Sequence, residues 1–154
     1  FHIRELARLT KLSSTGIIKI VKRLKKQGLL LSKKENVVEQ IRPNFDRNFF
    51  LMKKLYNLYS LENGRLIEYL KKFYEFPKAI VVFGSYANGT DTEKSDIDIA
   101  VITDGTKIPD VIKFEKKLSR KISIHTINLK NSTKEFKNSL ANGIVLEGFI
   151  ELIG

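Results

Sequence analysis

A chain of 154 residues has room for one ordinary domain or two small ones, and length alone does not choose between them. It carries 28 Lys and Arg against 17 Asp and Glu, a formal charge of +11, and has no cysteine, which excludes a disulfide framework and a thiolate zinc site. No run approaches about 18 consecutive apolar residues and the basic start lacks the apolar core of a signal peptide, so a soluble cytoplasmic protein without a membrane partner is expected.

The basic excess is uneven. Residues 1–45 hold eleven basic against three acidic side chains, residues 46–77 six against four, and residues 78–154 eleven against ten. A polyanion is therefore the expected partner of the N-terminal part. The chain opens on Phe1 rather than Met, so a preceding segment is expected.

Ile3, Leu6, Ala7 and Leu9 predict a short helix with one apolar face, interrupted at Leu12-Ser13-Ser14 by hydroxyl residues suited to capping. A second helix follows from Ser14 to about Gln27. Ile17, Ile20, Val21 and Leu24 lie along one side, and Thr15, Lys19, Lys22, Arg23 and Lys26 on or near the other. Gly28 is its stop. Leu29–Ser32 and Val37–Ile41 read as two strands joined by the polar turn Lys33-Lys34-Glu35-Asn36.

Helix, turn, helix and basic hairpin resemble, over residues 1–44, the winged helix-turn-helix domains of archaeal and bacterial regulators. The resemblance implies a second helix in the major groove and a wing on the backbone or minor groove. DNA contacts would then fall on Ser13, Ser14, Thr15, Lys19, Lys22 and Arg23, with Lys33 and Lys34 on the wing. Lysine and hydroxyl contacts mostly serve phosphates, so these residues supply affinity more than sequence choice. A protein-binding or dimerisation module with a solvated charged face is the alternative.

Pro43 closes this unit. Phe49, Phe50, Met52, Leu55, Tyr56, Leu58 and Tyr59 crowd a helix over about 46–60, and Leu66, Ile67, Tyr69, Leu70, Phe73 and Tyr74 a second one ending before Pro77. Aromatic residues at helical spacing predict core or interface. Residues 45–77 are read as a linker helix pair that docks the two domains or forms a homodimer.

Lys78–Phe83 predicts a buried strand, and Gly84-Ser85 stands where it turns into the next helix. Glycine there has no Cβ to block a phosphate, Ser85 adds a hydroxyl, and the following N–H groups point outward. Gly84 to Thr90 nearly fits a Walker A loop, but Thr90-Asp91 stands where that loop requires Lys and a hydroxyl residue, so that reading fails. In Asp96-Ile97-Asp98-Ile99, period two puts both carboxylates on one face, within reach of one metal cluster.

Gly84, Ser85, Gly89, Ser95, Asp96 and Asp98 together resemble the nucleotidyltransferase superfamily of DNA polymerase β, in particular its minimal archaeal and bacterial members, over residues 78–154. The implied fold is α/β (α+β): a winged helix-turn-helix at 1–44, a helical linker at 45–77, and a small mixed β-sheet nucleotidyltransferase domain flanked by helices at 78–154. The resemblance implies that Gly84, Ser85 and Ser95 bind a nucleoside triphosphate, ATP or another. Asp96 and Asp98 are the implied catalytic residues and ligands of Mg2+ or Mn2+. An acceptor hydroxyl would attack the α-phosphorus and release pyrophosphate. The acceptor stays open between a protein side chain, a nucleic-acid end and a small molecule, and relatives of this size include antitoxins that nucleotidylate a partner toxin. The alternative is a DNA-binding regulator or antitoxin-like protein whose nucleotidyltransferase domain is inactive or senses nucleotide.

Two departures from the family pattern bear on that choice. Asn88 stands where Arg is common, and the strand Ile122–Ile127, expected to bring a third carboxylate, has none. Ser123 or His125 occupies that position, with His125 a candidate metal ligand or general base. Asp91, Glu93 and Asp104 are the acids nearby in sequence. Beyond them, Asp110–Lys121 predicts a helix with a basic end, Asn131 or Ser132 caps another running to Ala141, and Ile144–Leu152 predicts a strand pair or bulged strand at the sheet edge.

Overall fold

The computed structural model describes residues 1–35 and 37–151, and the chain divides into two compact units, 1–51 and 52–154. In the first unit, α1 (Ile3–Thr10) and α2 (Ser14–Lys26) precede an antiparallel hairpin of β1 (Leu30–Glu35) and β2 (Val38–Pro43). The turn between the helices follows from Lys11, which adopts the left-handed conformation at φ 56°, and from Ser13, whose Oγ accepts the Gly16 N–H at 3.1 Å and caps α2. Ile17, Val21 and Ile41 form the small core, with Ile3, Leu6, Ala7 and Leu30 packed on it.

The hairpin corrects the expected turn. Lys33 and Lys34 are paired strand residues opposite Gln40 and Glu39, because the ladder continues to Glu35 opposite Val38; Asn36 lies outside the described residues. Ile20 is also exposed rather than buried with Ile17 and Val21, since two short helices and one hairpin cover only a narrow stripe of α2.

The division between the units falls within α3 (Arg47–Asn63), which runs past the end expected at about residue 60 and stops at Asn63. In the second unit α3 buries Asn57 and Leu61, while Met52, Leu55, Tyr56 and Tyr59 are exposed. Of its aromatic residues, Phe49 and Phe50 are half-buried and Tyr56 and Tyr59 are exposed.

After α4 (Leu66–Phe73), β3 (Ala79–Phe83) enters a four-stranded mixed sheet, every one of its residues buried. α5 (Gly84–Asn88) follows directly, then β4 (Ile97–Ile102), α6 (Ile112–Leu118), β5 (Ile122–Ile127), α7 (Lys134–Ala141) and β6 (Ile144–Gly148). The strand order is β5-β4-β3-β6; β4 and β5 run parallel and the other pairs antiparallel. One face of the sheet, including Ile80, Val82, Ile97, Ile99 and Val101, packs with Leu61, Leu66, Ile67, Leu70 and Phe114 from the helices. The opposite face, including Val81, Phe83, Ala100 and Ile102, packs with Leu140 and Phe136 of α7.

Smaller expectations shift as well. Thr133, not Asn131 or Ser132, caps α7, its Oγ1 accepting the Phe136 N–H at 3.2 Å, because Asn128 takes residues 129–131 into a short 3-10 turn first. α6 stops at Leu118, where Ser119 turns left-handed, so Arg120 and Lys121 lie beyond it. β6 is one bulged edge strand, irregular opposite Ile80 and Val81, and Leu152 lies outside the described residues. No helix among the described residues is long and apolar enough to cross a membrane.

Candidate active site

The site forms at one end of the second unit's sheet, where β3 ends and β4 begins. Phe83, the last residue of β3, pairs with Asp98 in the antiparallel register. The chain then has to leave the sheet within one residue, and Gly84 does so at φ +71°, a conformation that an L side chain rarely adopts. A β-carbon on Gly84 would stand 3.1 Å from Asp98 Oδ2. The absence of a side chain leaves open the space beside this carboxylate.

Gly84 is exposed and Ser85 half-buried, opening the five-residue α5; Gly89 ends it in the left-handed conformation. Asn88 is exposed on its last turn. Ser95 is committed locally: its Oγ accepts the Thr92 N–H at 2.9 Å and its own N–H donates to the Thr92 carbonyl, closing the turn that delivers the chain into β4. Asp96 sits one residue before β4, exposed and without a hydrogen bond or ion pair among the described residues. Asp98 is half-buried, two residues on and within β4. Two carboxylates one strand period apart, one with no protein partner, are a donor set suited to a hard divalent cation.

Parallel pairing brings β5 beside this pair. Ser123 lies opposite Asp98, and His125 reaches Asp98 Oδ1 with its Nε2 at 3.4 Å. The imidazole stands against the rings of Phe83 and Phe136, at 5.4 and 6.1 Å between centroids. Both positions proposed for the missing acid are thus on the carboxylate face. Among the described residues no three His, Asp or Glu side chains converge as a ready-made metal cluster.

The other acids do not fill the gap. Asp104 follows the far end of β4, where Asn128 donates to its Oδ1 at 3.0 Å. Glu93 is an exposed turn residue. Asp91 is buried at 3% exposure and held by Asn57 Nδ2 at 2.8 Å, Lys53 Nζ at 3.2 Å and Arg120 at 3.8 Å. Asn57 also donates to the carbonyl of Tyr86 in α5, so this network fixes the back of the glycine turn. Sequence reading missed it: the partners are about thirty residues apart and no spacing rule connects them. Burial pushes the neighbouring Tyr86 hydroxyl up to about 12, with the Asp91 charge adding to the effect.

In the first unit, Ser14, Thr15, Lys19, Lys22 and Arg23 are exposed along α2, and Lys33 and Lys34 are exposed on β1. Ser13 is occupied as the cap of α2. Lys25, which the sequence did not single out, pairs with Glu39 at 2.8 Å and with Ser32.

The family model described as polymerase beta nucleotidyltransferase matches residues 64–148. A protein of Methanocaldococcus jannaschii named "Putative protein adenylyltransferase" is 39% identical over 71 residues, a match covering 38% of this chain and 71% of that protein. Among solved structures, a toxin–antitoxin crystal structure with AMP-PNP is 27% identical, with a TM-score of 0.42 over 56% of this chain and 74% of the other. A mutant of the toxin–antitoxin MntA–HpeT is 22% identical, with a TM-score of 0.41 over 56% and 73% of the two chains.

Proposed function

The chain belongs to the polymerase beta nucleotidyltransferase family, and from that premise we propose that it transfers a nucleoside monophosphate, AMP from ATP, onto an acceptor hydroxyl with the help of a divalent metal. The observation that carries this reading is the placement of the Gly84 turn beside the Asp98 carboxylate, through the pairing of Phe83 with Asp98 at one end of the sheet. Gly84 and Ser85 with the first N–H groups of α5 hold the β- and γ-phosphates, and Ser95 fixes the turn that presents the acids. Asp96 and Asp98 hold Mg2+ or Mn2+, which when bound neutralises the phosphate oxygens and polarises the reacting ones. The acceptor oxygen forms its bond to the α-phosphorus as the bond to the bridging oxygen breaks; pyrophosphate leaves with that electron pair and the acceptor's hydroxyl proton passes to solvent. A protein hydroxyl as acceptor is supported by the name of the archaeal relative.

Residues 1–44 act, in this reading, as a winged helix that contacts duplex DNA. The order of two helices and a hairpin supports it, as do the exposed Lys19, Lys22 and Arg23 on α2. A second reading, a DNA-binding regulator whose nucleotidyltransferase domain binds nucleotide without turnover, is favoured by the want of a third convergent acid among the described residues.

Calorimetric titration of the full chain with ATP and divalent metal, beside Asp98→Asn, tests the site. Metal-dependent binding that the variant loses supports it, and transfer of label from α-labelled ATP to protein distinguishes the enzyme from the sensor. Equal heats from both proteins would overturn the site.

A further inference from the structure

We propose that the free edge of β5 is the docking site for the acceptor: an extended, acidic segment of another protein that adds to the sheet as a further strand. The inference rests on the reading of a protein hydroxyl as acceptor and goes further by naming how that protein is held.

β5 is the outermost strand on its side of the sheet and runs beside β4 without a register shift from Ile122 to Ile127. The Ile97 N–H donates to the Lys121 carbonyl at 2.8 Å and the Thr103 N–H to the Ile127 carbonyl at 3.1 Å, so the odd-numbered residues of β5 turn their backbone groups toward β4. Those of Ile122, Ile124 and Thr126 point away from the sheet. Glu115 Oε1 accepts the Ile122 N–H at 2.9 Å, whereas the N–H groups of Ile124 and Thr126 have no partner among the described residues. Ser123 to Thr126 are half-buried, while every residue of β3 is buried. The polar groups of this edge face solvent and are open to pairing.

The two edges of the sheet differ. β6 is closed to another strand by the devices that edges commonly carry: a register irregularity opposite Ile80 and Val81, a charged Glu147 paired with Lys71 at 2.9 Å, and Gly148 at φ +73°. Ile122–Ile127 has no acid, lysine, proline or bulge. A row of backbone donors and acceptors is matched by an extended chain. Its position suits an acceptor: Ile122 pairs with Ile97, the residue after Asp96, so a strand laid along β5 has one end beside the candidate active site. Lys121, held only at 3.9 Å from Glu115, and Lys130 are exposed just before and after the edge, which favours acidic residues in the incoming segment. A second copy is the poorer occupant, because each chain carries a charge of +11. One six-residue edge also offers little toward the about 800 Å² that each partner buries in a stable complex, but it suits a segment that must leave after modification.

The test gives the full chain α-labelled ATP, Mg2+ or Mn2+ and, as probe, a pool of short randomised peptides with one hydroxyl residue and acidic ends; a second pool is the same but N-methylated along the backbone. Label is expected on the first pool. It falls about tenfold or more on the N-methylated pool, and likewise with Thr126→Pro, since either change removes hydrogen bonds of the edge. Proline at 126 takes away an outward N–H and no ladder bond, so ATP binding by Thr126→Pro stays unchanged. Equal labelling of both pools, a result that needs no variant, overturns the inference, as does undiminished labelling by Thr126→Pro. The absence of labelled peptide, while ATP still binds and Asp98→Asn still loses it, also overturns it and leaves the nucleotide site standing. A dimer in sedimentation that Thr126→Pro dissociates makes a second copy the occupant and overturns it too. If Asp98→Asn binds ATP unchanged, the site reading falls and this inference with it.

Discussion

Gly84 lies beside Asp98 at the end of the β3–β4 pair: a β-carbon added to it would stand 3.1 Å from Asp98 Oδ2, and the glycine has φ +71°. The phosphate turn and the metal carboxylate are one packing unit, and a side chain at Gly84 would disturb both. Gly84→Ala is expected to cost about 1–2 kcal/mol in stability from the left-handed backbone alone. It also displaces Asp98, so metal-dependent ATP binding falls well beyond what that loss of stability explains. Thermal unfolding and ATP titration of the same variant check the two effects, and unchanged ATP affinity would show that the turn does not hold phosphate.

Asp91 should behave as a structural acid. It is buried against Lys53, Arg120 and Asn57, and Arg120 Nε is already buried without a partner among the described residues. Asp91→Asn removes the one charge that compensates these cations and is expected to destabilise the second unit by about 3–5 kcal/mol. Glu68→Gln, which breaks the exposed pair with Lys72, should leave the denaturation midpoint unchanged. Denaturant melts of both variants give the comparison.

Tyr86 sets an alkaline limit. Its hydroxyl is held up to about 12 by burial and by the Asp91 charge, against about 10 in the unfolded chain. Because the folded value is the higher one, the contribution is complete below about pH 10 and is lost as pH rises toward about 12. Tyr86→Phe should therefore lose less stability between pH 9 and pH 11.5, on the order of that window. Unfolding curves at several alkaline pH values measure the difference.

The winged-helix reading makes a prediction about salt. Lys22→Ala and Arg23→Ala should each weaken duplex binding on random sequence as much as on any chosen one. Each should also lower the slope of affinity against salt by about one counterion. Fluorescence anisotropy across a salt series measures this, and a slope near zero for the unmodified chain would favour the protein-binding alternative.

Lys33 and Lys34 show how local signals can mislead about an element's limits. The polar run of four residues reads as a turn, yet strand pairing continues through both lysines, because ladder hydrogen bonds and the twist of the hairpin, not polarity, set where the chain reverses. The buried side of α3 follows a related rule: composition gives helix and apolarity, but the side buried within the chain is chosen by what packs there, here Asn57 and Leu61.

The sequence by itself determined what depends on neighbours along the chain. The Gly84-Ser85 turn after an apolar strand, the strand through Asp98, the Ser13 cap and the break at Gly28 all follow from backbone sterics and from the local preferences of neighbouring residues. Only the tertiary structure decided that His125, 27 residues from Asp98, stands beside it, and that Asp91 is enclosed by Asn57, Lys53 and Arg120. The parallel register of β4 and β5 depends on how α6 carries the chain back across the sheet, and a slip of one residue would turn His125 to the opposite face. Contacts of that kind are selected by the burial of the whole sheet, which no short segment encodes.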